Sequence, residues 1–195
     1  MLSHGLTLAA FALMMLSDVL RLTKRRRIAP LPFFAGVALL LAACACAACT
    51  GERFPVSVPV RILFLLLAGA ALLLEGYSLL GALPLGPAYL AQGDVPLMDR
   101  GMYALCRHPG ALWLPLLLGS LAVVLGSRSL LEVAGTASLL NLLYVWLQDR
   151  LIFPRTIPGY DSYRQGGTPF VFPTRASVQR ALATRHQNKG TNNEV

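Results

Sequence analysis

The sequence predicts an all-α fold: a polytopic membrane bundle of about five transmembrane helices, with a C-terminal helical hairpin and a cytosolic pocket. Three observations predict it. Mean hydropathy is +0.59 and charged residues make up 13% of the chain, about half the roughly 25% of a soluble domain. Apolar residues fall in long runs rather than singly. The 17 Lys and Arg outnumber the 9 Asp and Glu, and they gather between alternate runs. This composition excludes a disordered chain, because so much apolar surface does not stay solvated. It also excludes a soluble globule of 195 residues, which could not hide that surface behind so few charges.

The first run, Leu6 to Leu20, ends at Asp18, Arg21 and the basic block Lys24 to Arg27. Those charges follow the run instead of preceding it, so it does not read as a signal peptide. The string ending at Cys44 has only a faint likeness to a lipoprotein cleavage site. The second run, Ile28 to Thr50, carries no charge and is long enough to cross a hydrocarbon core of about 30 Å at 1.5 Å per residue. Residues 50–59 hold charge and turn formers and read as a loop. The third run, about Val60 to Ala82, is interrupted by Glu75. The fourth, Ala111 to Ser127, and the fifth, Leu130 to Leu147, meet at a short turn and form the hairpin. Beyond Asp149 the chain is basic and rich in Pro and Gly, and from residue 174 onward it reads as a disordered tail. The chain thus divides into N-terminal helices (1–83), an inner loop with the hairpin and an interfacial segment (84–173), and the tail (174–195). No repeat of 20–50 residues is found, which speaks against a repeat-built transporter. Cys44, Cys46, Cys49 and Cys106 read as small buried hydrophobes rather than as a disulfide framework or a zinc site.

Charge predicts the orientation. With the first basic loop inside, 14 of the basic residues fall on that side and 3, Arg53, Arg61 and Arg128, fall outside. The positive-inside rule then puts the N-terminus outside and the C-terminus in the cytosol. The net charge of +8 fits this topology and anionic headgroups, and no nucleic-acid motif is present.

Two polar segments are candidates for chemistry. Arg107, His108 and Pro109 precede the fourth run. Pro suits a first helical turn, whose free N–H groups with Arg107 and His108 beside them favour a carboxylate or phosphate. The alternative is an interfacial loop with Arg107 on lipid phosphate. Gln148, Asp149 and Arg150 close the fifth run, and Tyr160 and Tyr163 follow at i and i+3. These tyrosines share a face if helical, or else form an interfacial belt with Trp146. The hairpin makes the two segments neighbours. Glu75, a carboxylate within an apolar run, is either functional or paired with an arginine for structure. Asp18 is expected to pair with the basic loop.

At these segments the sequence resembles the small integral membrane methyltransferases of the isoprenylcysteine carboxyl methyltransferase and phospholipid N-methyltransferase type. That group carries G-x-Y-x-x-x-R-H-P-x-Y-x-G, a helical hairpin, a pair of glutamates and a closing Y-x-x-Y. Gly101, Tyr103, Arg107, His108 and Pro109 match the first part, and Gly159, Tyr160 and Tyr163 the last, across Leu97 to Pro173. Ala111 and Trp113 replace Tyr and Gly, and Gln148 and Asp149 replace the glutamates.

The resemblance implies an S-adenosylmethionine pocket at the cytosolic helix ends, open sideways to the bilayer. Tyr103, Arg107, His108, Pro109, Gln148, Asp149, Tyr160 and Tyr163 would bind the cofactor, with the triplet and Asp149 at its amino-acid end. Glu75 and Arg164 are the candidate catalytic residues, a lipophilic small molecule is the acceptor, and no metal is needed. Two other readings stay open: a non-catalytic membrane protein that keeps the scaffold, favoured by Trp113 and Gln148, and an NADPH-dependent reductase, with Arg150 and Arg155 for the 2′-phosphate. The sequence does not fix the oligomeric state.

Overall fold

The computed structural model describes residues 1–25, 27–78 and 97–191. The expectations for Arg26, for residues 79–96 and for the last four residues lie outside these. Among the described residues, four helices are long and apolar enough to cross a membrane. They are α1 (Leu2–Leu22), α2 (Pro30–Cys49), α3 (Val58–Gly76) and the last, over Arg128–Thr156. A short helix α4 (Met102–Leu105) precedes the shorter apolar helix α5 (Gly110–Leu125). The Arg128–Thr156 span comprises α6 (Arg128–Leu147), a π-helical turn Gln148–Ile152, and α7 (Phe153–Thr156). Two more helices follow, α8 (Tyr160–Gln165) and α9 (Arg175–Thr191). The architecture is a helical membrane bundle.

Each apolar run becomes a helix because main-chain groups in lipid must be satisfied within their own segment. Helix α1 packs on α2 and α6, α5 packs between α3 and α6, and α2 also touches α6. Small residues sit at many of the helix contacts, beside larger ones such as Phe11, Leu118 and Tyr144. Ala10, Ala43, Ala47, Ala71, Ala122 and Ala137 are all buried, as expected where close backbone approach rather than hydrophobic exclusion joins helices. Larger side chains turn outward: Ile62, Leu63, Leu66 and Leu73 of α3 are exposed and suit lipid.

The two ends of the bundle differ. At one end, Ser127 Oγ donates to the Ala47 carbonyl at 3.0 Å, and Arg53 donates to the carbonyls of Ala48 and Leu125. This ties α2 to the α5–α6 turn. Gly126 makes that turn at φ 60°, and a Cβ there would lie 2.6 Å from the Phe54 carbonyl, so only glycine fits. The other end gathers the α1–α2 connection, the start of α5 and the end of α6.

Two expectations are corrected. The chain from residue 174, read as a disordered tail, carries α9. Thr174 and Ser177 exchange backbone-to-hydroxyl hydrogen bonds of 3.0 and 3.2 Å, a reciprocal cap that starts the helix. Arg180 donates to the carbonyls of Gly166 and Gly167 and pins it down. Of the cysteines only Cys106 is buried, while Cys44 and Cys46 are half-buried and Cys49 is exposed. Cys46 and Cys49 stand at C-x-x-C spacing in α2, and both are free. Asp18 faces the charge of Arg21 at the start of the basic loop, as expected, and also accepts from Gln148 Nε2 of the π turn at 2.8 Å.

Candidate functional site: a cavity at the basic end

The stretch before α5 is held by a distant one. The backbone N–H groups of Arg107 and His108 donate to the carbonyls of Pro169 and Phe170 at 2.9 and 3.1 Å. Pro109 caps α5, one residue from the predicted first turn. On the facing side, α6 does not stop at Leu147. It widens into the π turn, and Pro154 then opens α7. A widened turn lets the helix continue toward a proline that would clash with a regular one. That turn carries Asp149 inward.

Asp149 is 1% exposed. Arg107 grips it with two nitrogens, Nε to Oδ1 at 2.7 Å and Nη2 to Oδ2 at 3.1 Å. Tyr160 donates its hydroxyl to Oδ1 at 2.6 Å, and His108 Nε2 lies 3.4 Å from the same oxygen. Arg107 Nη1 also donates to the Thr168 carbonyl. His108, 6% exposed, stacks on Phe153 with centroids 5.6 Å apart and meets Phe170 edge-on at 5.2 Å. Tyr160 and Tyr163 share a face of α8, with ring centroids 5.9 Å apart. Tyr163 donates to the Tyr103 carbonyl, and Tyr103 donates to the Ser78 carbonyl at 3.1 Å.

The electrostatics follow from burial and this pairing. Burial works against charge on Arg107, yet the Asp149 carboxylate outweighs it and holds the guanidinium pKa above its usual value. Burial pushes His108 below its ordinary value despite Asp149, so it is neutral, with its proton on the Nε2 that faces the carboxylate. Burial, with Asp149 adding to it, raises the Tyr160 hydroxyl well above the usual phenol range. Burial does the same for Tyr163 and pushes the Cys106 thiol up to about 11.

Beside this cluster lies a cavity of about 230 Å³. Its wall includes Tyr103, Arg107, His108, Pro109, Gln148, Tyr160 and Tyr163, with Glu75, Asp18, Asn141, Tyr144 and Phe153. Seven of the eight predicted cofactor-binding residues are therefore brought to one place. Asp149 is the exception. It is not among the residues that line the cavity, and its carboxylate is taken up by three side chains, so it positions Arg107, His108 and Tyr160. Arg164 also stays out of the wall: it pairs with Asp161 at 3.0 Å and reaches the Asp149 carbonyl at 3.4 Å. Glu75 lies against the first turn of α5, where a Cβ on Gly110 would be 3.2 Å from its Oε2. Glycine at 110 leaves room for that carboxylate.

Sequence reasoning missed Asn141, which is 8% exposed, lines the cavity, and leaves its Nδ2 without a hydrogen-bond partner among the described residues. A lone amide within an apolar span was the available signal. Ala111 lines the cavity and Trp113 does not, so the indole does not fill the space beside Pro109. Arg150 and Arg155, the pair an NADPH site would need, do not line it either. No family model, no curated protein and no solved structure matches the chain.

Proposed function

We propose that this chain is an integral membrane methyltransferase that uses S-adenosylmethionine to methylate a lipophilic acceptor, with the N-terminus outside and the cavity and C-terminus on the cytosolic side. One observation carries the reading. The Arg-His-Pro triplet and the tyrosine segment, distant in sequence, converge on one aromatic-walled cavity. These are the segments that resemble the membrane methyltransferases.

The donor set fits the cofactor. Arg107 gives three N–H groups to Asp149 and Thr168, which leaves two of the five on a guanidinium for a carboxylate. The rings of Tyr103, Tyr160 and Tyr163 offer faces for a planar base and for positive charge. When bound, S-adenosylmethionine supplies an electrophilic methyl group. Asp149 holds Arg107 and Tyr160 in place, so that little reorganisation remains when a ligand arrives. Glu75, which lines the cavity, would serve as the base for an acceptor that must lose a proton before it attacks.

Calorimetry with the purified protein in detergent tests this. S-adenosylmethionine or its demethylated product is expected to bind, and Arg107→Ala to weaken binding more than tenfold. No heat at saturating cofactor overturns the reading.

A further inference from the structure

The residues that resemblance singles out spend most of their polar atoms on one another. Arg107, His108 and Tyr160 are drawn to Asp149, Gln148 to Asp18, Tyr163 to the backbone of Tyr103, and Tyr103 to that of Ser78. Two cavity-lining side chains do not follow this pattern. Glu75 Oε2 and Asn141 Nδ2 are buried and have no hydrogen-bond partner among the described residues. Residues 79–96, the stretch that follows α3, contain no Lys, Arg or His, so no salt-bridge partner for Glu75 comes from there. A buried carboxylate oxygen and a buried amide nitrogen left without a partner in an apolar bundle each cost stability. A cost of that kind is retained where a ligand repays it.

We propose that Glu75 and Asn141 form the head-group subsite of the cavity, and that it takes an amphiphile whose head offers a protonated amine to Glu75 and an oxygen to Asn141. The two side chains stand on different helices, α3 and α6, with the cavity between them. The amine replaces the missing counter-charge, and the amide N–H needs an acceptor, which the oxygen supplies. Aromatic rings in the same wall, Tyr144 and Phe153 among them, favour a cation over an anion. A carboxylate or phosphate head would face Glu75 and be repelled. Calling the bound molecule an acceptor rests on the methyl-transfer reading, but its binding does not.

The probe is tritiated sphingosine, a long-chain amino alcohol. Its binding is measured to the full chain in lipid nanodiscs, with empty discs subtracted, against oleate and oleyl alcohol as chain controls. Sphingosine is expected to bind at least tenfold more tightly than either. Glu75→Gln and Asn141→Leu are each expected to weaken it at least fivefold, with thermal stability equal to or above the parent, because Glu75 Oε2 and Asn141 Nδ2 have no hydrogen-bond partner to lose among the described residues. Equal binding of the three probes, or unchanged sphingosine binding in the variants, overturns the proposal. A Glu75→Gln protein that unfolds overturns it too, since the carboxylate would then hold the fold together. S-adenosylmethionine binding is measured on the same samples. If it persists while sphingosine binding is absent, the subsite alone is wrong. If sphingosine binds and the cofactor does not, the methyl-transfer reading alone is wrong.

Discussion

Asp149 joins side chains from two distant segments at a single buried carboxylate. Its carboxylate receives Arg107, Tyr160 and His108, and those three side chains come from the α4–α5 connection and from α8. Removing it strands a guanidinium that is 11% exposed with no counter-charge. Breaking such a pair costs about 3 kcal/mol. Asp149→Ala is therefore expected to lower the unfolding free energy by about 3 kcal/mol with no ligand present, read by thermal or denaturant unfolding in detergent. A residue that served only the ligand would leave the apo protein unchanged. His108 makes a separate prediction. Its folded pKa is lowered by burial, so the unfolded chain binds the extra proton more readily. Its contribution to stability is full above the unfolded pKa of about 6.5 and is lost as pH falls through the folded value. The melting temperature is expected to fall between pH 7.5 and pH 5, and His108→Asn to flatten that part of the profile.

At the scale of elements, the π turn and the reciprocal cap show what an apolar pattern cannot report. Four of the five runs were legible to within a few residues at both ends and the third at its start, because hydropathy is a property of each segment by itself. Run five, for example, was read as Leu130 to Leu147, and α6 spans Arg128–Leu147. The continuation past Gln148 was not legible. It depends on Pro154 and on Asp149 finding Arg107 across the cavity, which is tertiary information. The same holds for α9, whose mean polarity resembles a frayed tail until Thr174 and Ser177 are seen capping each other. Losing a side-chain cap costs about 1 kcal/mol. Thr174→Ala is expected to speed amide hydrogen exchange across the first turns of α9 about fivefold while leaving α5 and α6 protected, which local exchange mass spectrometry would read.

For the whole molecule, the distribution of basic residues and the position of the cavity support the proposed orientation. The sequence placed the triplet and the tyrosines on one side, and the bundle brings them to one cavity. Asn141 escaped notice because one amide in an apolar span has meaning only once a cavity is seen beside it. The opposite end carries Arg53 and Arg128, tied to the α2 terminus, the α5–α6 turn and Glu52. It is poor in positive charge, while the cavity end holds the first basic loop and the segment after α6. Moving the basic end across a membrane would carry many more cations against the positive-inside bias. The α5–α6 turn should therefore face the exterior and α7 the cytosol. In a Cys49→Ser background, to remove the exposed native thiol, Arg128→Cys is expected to react with an impermeant maleimide on intact cells. Arg155→Cys should react only after permeabilisation. The reverse pattern would put the cavity on the exterior face, away from cytosolic S-adenosylmethionine, and would leave the bundle intact but the proposed chemistry without its cofactor.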